Sequence, residues 1–95
     1  NPHWVPALRP QTGLAQPVSA YVLGQPDAEP FLQHALGLID LMRPGYVREG
    51  KRHATVAIGC TGGKHRSTAL VEELSRRLAA EGVHTEVVHR DLGME

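Results

Sequence analysis

Two helical stripes and two β-prone runs organise this chain. Phe31, Ala35, Leu38 and Met42 recur at helical spacing, which predicts a helix from about residue 27. Asp27 is placed to cap it, Glu29 and Pro30 suit a first turn, and Arg43-Pro44-Gly45 is a stop. Leu70, Leu74 and Leu78 form a second stripe and predict a helix from Arg66 to Glu81. Glu72–Arg76 and Glu73–Arg77 fall on its other side as i,i+4 pairs, and Gly82 is a ready C-cap. Residues 54–58 (Ala-Thr-Val-Ala-Ile) are rich in β-branched types and predict a buried strand. Val83 to His89 alternates with a period of two and predicts another. Val18 to Leu23 reads as a short helix closed by Gly24-Gln25-Pro26. Residues 1–17, rich in Pro and Gly, read as an extended, docked arm with Trp4, Val5 and Leu8 as its packing anchors. Tyr46 to His53 is a basic connection carrying Arg48, Lys51 and Arg52.

Strand, helix and strand in this order define a βαβ unit over residues 54–89. The expected fold class is therefore α/β: one small domain, residues 1–95, with a parallel, right-handed βαβ core. Ligands in such folds sit beyond the carboxyl ends of the strands. The segment Cys60 to Arg66 falls at that edge.

Composition narrows the function classes. The 95 residues carry 10 Lys+Arg and 10 Asp+Glu, a balance that argues against a general nucleic-acid or membrane-surface binder. One cysteine excludes an internal disulfide and a cysteine-built zinc site, and it agrees with a cytoplasmic setting. No apolar stretch approaches the roughly 20 residues of a membrane span. The opening Asn1-Pro2-His3 lacks a methionine, so a domain cut from a longer protein is expected.

The chemistry concentrates in Gly59-Cys60-Thr61-Gly62-Gly63-Lys64-His65-Arg66-Ser67. A strand, a glycine turn and a helix N-terminus make an anion cradle, because inward-pointing N–H groups and the first helical turn present positive charge. Cations at a helix N-terminus are themselves unfavourable. Lys64, His65 and Arg66 therefore argue for a compensating anion. Two enzymatic patterns compete. The spacing Cys60-x5-Arg66-Ser67 matches the cysteine-phosphatase loop, with Cys60 as nucleophile and Arg66 as phosphate clamp. No general acid stands out for it. A Walker A loop is excluded, since His65 follows Gly63-Lys64 and Ile58 occupies the earlier glycine position.

The nine-residue string, with Asn1-Pro2-His3 and the late His89-Arg90, closely resembles the C-terminal domain of the RapZ family of RNase adapter proteins, across nearly the whole chain. The resemblance implies a non-catalytic, phosphofructokinase-like subdomain that senses glucosamine-6-phosphate, binds small regulatory RNA or a protein partner, and assembles as a homo-oligomer. It implies no cofactor here; ATP or GTP belongs to a separate N-terminal domain with Walker-type motifs. Carried over by position, it makes Thr61, Gly62, Gly63, Lys64, His65, Arg66 and Ser67 the phosphate-facing loop, with His3 reaching in from the arm. His89 and Arg90 are candidates to line the same pocket. RNA-binding members carry a strongly basic end to this domain, whereas His89-Arg90-Asp91-Leu92-Gly93-Met94-Glu95 is mixed in sign. That departure moves any RNA contact to Arg48, Lys51 and Arg52.

Overall fold

The computed structural model describes residues 1–50, 53–60, 64–90 and 92. Among them, a 3-10 turn (Pro2–Trp4) precedes three α-helices: α1 (Gln16–Leu23), α2 (Ala28–Arg48) and α3 (Arg66–Ala80). No strand or sheet occurs among the described residues. The α/β class and the parallel βαβ core expected from the sequence are thus corrected to a helical fold.

The reason lies in what the β-prone runs rest on. Val83, Thr85, Val87 and His89 are half-buried while His84, Glu86, Val88 and Arg90 are exposed, so the period of two is present. Its covered face lies against α3, however. Val83 packs on the cluster containing Leu74 and Leu78, the Thr85 hydroxyl hydrogen-bonds Ser75, and the His89 ring meets Glu72. No backbone hydrogen bond joins this run to residues 53–60 among the described residues. Of residues 54–58, expected as a buried strand, only Ile58 is even partly covered. Residues 54–57 are exposed, which leaves their backbone polar groups accessible to water. β-propensity measures fit to a half-buried surface, and here a helix supplies that surface.

Two small clusters hold the helices together. Leu32 and Leu36 of α2 pack on Leu74 and Leu78 of α3. Val18 and Val22 of α1 pack on Ala69, and Leu70 borders both clusters. The stripe expected on α2 is not the one it buries. Ala28, Leu32 and Leu36 face inward with Ala35 and Ile39 partly covered, whereas Phe31, Leu38 and Met42 are exposed. Helix α2 carries apolar residues on two stripes, and only the one facing α3 is covered. The helix also runs through the expected stop. Pro44 removes one N–H from the ladder, but regular bonding resumes with Glu49 N–H to the Gly45 carbonyl at 3.1 Å. Its 21 residues give a rod of about 32 Å at 1.5 Å per residue. That rod accounts for the elongated 48 × 28 × 20 Å shape.

Helix α3 begins where expected and ends one residue early in a full C-cap. Gly82 adopts φ 83, its N–H bonds the Ala79 carbonyl, and the Val83 N–H returns to Leu78 at 2.8 Å. This is the paired arrangement that a glycine in the left-handed region makes possible. The expected Glu72–Arg76 pair is replaced: Arg76 bonds Glu73 at 2.8 Å, and Glu72 turns to His89. Arg77 bonds Glu73 as expected and also reaches across to Glu29 in α2.

The amino-terminal arm is turn-rich, not extended, because successive i→i+3 and i→i+4 backbone bonds fold it on itself. Leu8 anchors it, while Trp4 is 75% exposed and joins neither core cluster among the described residues. Among the described residues no helix is long and apolar enough to cross a membrane.

Candidate functional site

Three stretches meet at the amino end of α3. His65 holds the N-cap position but gives no side-chain cap. Instead its ring Nε2 donates to the Arg9 carbonyl at 3.1 Å, and its own carbonyl accepts the Ala69 N–H. The Lys64 carbonyl accepts the Gly13 N–H at 2.8 Å. His65 is therefore buried and fixed in orientation by the arm, and Lys64 is half-buried beside it.

Cys60 closes the same end from the other side. Its Sγ accepts the Ser67 backbone N–H at 3.3 Å and lies 3.3 Å from the Ser67 hydroxyl. Ser67 is the second residue of α3, so the sulfur meets an amide that the helix cannot satisfy itself. Sulfur is a weak acceptor, so a stronger anion would compete well for such an amide. The structure brings Cys60, Lys64, His65 and Ser67 to one helix end. Thr61, Gly62 and Gly63, the remainder of the expected phosphate-facing loop, lie outside the described residues.

Arg66 turns elsewhere. It lines a hollow of about 210 Å³ between the arm, α1 and the start of α2, together with Asn1, Tyr21, Asp27, Phe31 and Leu70. The sequence reading missed this hollow. Asp27 was legible only as a helix cap, Tyr21 and Phe31 only as apolar helix positions. The Asn1 part of the Asn1-Pro2-His3 opening was the one available signal.

The other expected residues are placed as follows. The His3 ring is exposed and stands edge-on to Trp4, with centroids 5.3 Å apart at 80°. Its backbone carbonyl accepts from Arg9 Nε. Arg9 thus connects residue 3 to His65 through a side-chain bond at one end and a carbonyl at the other. His89 is half-buried with Nε2 2.8 Å from Glu72. Glu72 lies six residues into α3, about 9 Å along the axis from its start. Arg90 is exposed. Arg48 is exposed at the last turn of α2, and Lys51 and Arg52, expected beside it for RNA contact, lie outside the described residues.

Electrostatics at the far end of α3 are structural. The Arg77 guanidinium makes a two-pronged bond to Glu29 at 2.7 Å on each oxygen and a third bond to Glu73. Hydrogen bonding by Arg77, then by Gln33, lowers the Glu29 carboxyl to about 2. Arg77 likewise holds the Glu73 carboxyl below its usual range, and the two carboxylates push the guanidinium further up. Among the described residues, no group of three or more His, Cys, Asp or Glu side chains is placed to hold a metal ion.

The family described as the RapZ C-terminal domain matches residues 1–93. The chain is 64% identical over all its 95 residues to the nucleotide-binding protein SCO1952 of Streptomyces coelicolor, covering 32% of that protein. It is 60% identical over the same 95 residues to the nucleotide-binding protein PPA0813 of Cutibacterium acnes and 59% identical to FRAAL4592 of Frankia alni, covering 33% of each. The chain thus spans about a third of the length of the relatives it matches.

Proposed function

We propose that this chain, which belongs to the RapZ C-terminal domain family, is a regulatory module that binds a phosphorylated amino sugar of the glucosamine-6-phosphate class at the amino end of α3. The observation that carries the reading is the convergence of Lys64, His65 and the Ser67 amide at one helix N-terminus. The Lys64 charge there raises the local free energy unless an anion joins it, and first-turn amides are natural phosphate donors. The names of the relatives, all nucleotide-binding proteins, are compatible with phosphate recognition somewhere in the longer proteins.

On this reading the module is regulatory, not catalytic. Thr61, Gly62 and Gly63 complete the phosphate cradle. Binding replaces the weak Cys60 sulfur at the Ser67 amide and pulls on Lys64 and His65. Both are bonded to the arm, so occupancy is transmitted to residues 9–13. The output is altered contact with RNA through Arg48 and its basic neighbours, or with a protein partner, in an oligomer. ATP or GTP binding is assigned to other parts of the longer proteins.

Calorimetric titration with glucosamine-6-phosphate, its N-acetyl analogue and inorganic phosphate tests the ligand class. Glucosamine-6-phosphate is expected to bind tightest. Equal affinity for all three defeats the amino-sugar assignment and leaves a plain anion site.

A further inference from the structure

The run over residues 83–89 is held on α3 by one face only. Val83 packs on the Leu74–Leu78 cluster, Thr85 bonds Ser75 and His89 meets Glu72. Val87 is half-buried between them, while His84, Glu86, Val88 and Arg90 are exposed. From residue 84 to residue 88, no N–H or carbonyl takes part in a backbone hydrogen bond among the described residues. Edge strands in native proteins are usually blunted by Pro, by Lys, by bulges or by a covering element. Residues 83–90 contain no Pro, Gly or Lys, and Val88 is 83% exposed. With Val83, Thr85, Val87 and Val88 supplying β-propensity, this backbone is a template to which another strand can add.

We propose that residues 84–90 are a docking edge for an extended peptide segment of a protein partner, which adds to them as an antiparallel strand. The alternating N–H and carbonyl groups of an extended run are matched in register by another extended backbone. A second copy of this chain is a poor occupant. Paired strands lie about 4.8 Å apart, whereas packed helices need about 8–10 Å. Each copy carries α3 on the covered face of its run, so pairing two copies forces two helices into the width of two strands. A peptide with no helix of its own meets no such conflict. The exposed side chains then set the partner's sequence. Read along an antiparallel partner, an acidic residue faces Arg90, an apolar one faces Val88 and a basic one faces Glu86. Its signature is acid-x-apolar-x-base. The edge lies along Glu72, Ser75 and Leu78, away from the Lys64–Ser67 end of α3, and is independent of the phosphate site proposed above.

A blocked peptide of sequence Thr-Glu-Thr-Val-Thr-Lys-Thr, titrated into the isotope-labelled chain, tests the edge by amide NMR. Each residue of an extended run points its N–H and carbonyl to one edge, and its neighbours point theirs to the other. Strand addition is therefore expected to slow hydrogen exchange at every second amide between His84 and Arg90 and to leave the amides between them unchanged. Contact through side chains alone does not produce that alternation. Exchanging Glu and Lys in the peptide is expected to weaken binding at least about threefold, the scale of cross-strand charge pairs. Glu86→Lys combined with Arg90→Glu is expected to reverse that preference. Both residues are exposed, so the double variant keeps the fold, which circular dichroism verifies. Methylation of the peptide's backbone nitrogens is expected to abolish binding. Absence of binding at millimolar peptide, protection without alternation, or equal binding of the methylated peptide overturns the docking edge. Equal binding of the charge-exchanged peptide overturns the partner sequence assigned to it.

Discussion

A methyl group added at Gly13 meets the His65 carbonyl, the Ala69 N at 2.7 Å and the Thr68 Cβ at 2.9 Å. Two of those neighbours are backbone, so no rotamer change relieves the clash. The same residue donates its N–H to Lys64. Gly13→Ala is therefore expected to lower stability by about 1–3 kcal/mol, the usual range for overpacking, and to loosen the arm from α3. Chemical denaturation measures the first effect, and faster proteolysis within residues 1–15 measures the second. An unchanged denaturation midpoint contradicts the close approach. The sequence showed Gly13 only as one glycine in a Pro/Gly-rich stretch, because the atoms that require it lie some fifty residues away. His65 illustrates the same limit. Its place beside Lys64 and Arg66 was readable, but the Arg9 carbonyl that fixes its ring was not.

Helices α2 and α3 are joined by packing along the Leu32–Leu36–Leu74–Leu78 cluster and by the Glu29–Arg77–Glu73 bridge at one end. The bridge gives a pH signature. Folding lowers the Glu29 carboxyl from 4.5 to about 2. Its stabilisation is therefore complete above about 4.5 and is lost as pH falls towards 2. Glu29→Gln is expected to cost stability at pH 6 and progressively less below 4.5, so thermal midpoints of the two proteins converge near pH 2. A gap that stays constant from pH 6 to 2 contradicts the bridge. At this scale the sequence was most informative where one helix suffices to define the feature. The start of α3, its Leu70–Leu74–Leu78 stripe and its Gly82 cap follow from local spacing. Which stripe of α2 is buried does not, since Phe31–Leu38–Met42 and Ala28–Leu32–Leu36 are equally helical and only the position of α3 separates them. Period-two alternation over residues 83–89 is equally ambiguous, because a helix surface and a neighbouring strand can each cover alternate side chains.

Across the whole molecule, the arm, Cys60, Lys64, His65 and the start of α2 converge on the amino end of α3. The family was legible from the Gly59–Ser67 string. The hollow was not, because Asn1, Tyr21, Asp27 and Arg66 are far apart in sequence and three of them have ordinary structural readings. Ligand transmission through Lys64 and His65 to residues 9–13 is the central claim. Amide chemical-shift mapping tests it most directly, with glucosamine-6-phosphate added stepwise to the isotope-labelled chain. The account predicts the largest shifts at Lys64 to Ser67, with smaller ones at Arg9 to Gly13, and little change around Glu29 and Arg77. Shifts centred on the far end of α3, or none at Lys64 to Ser67 at saturating ligand, contradict it.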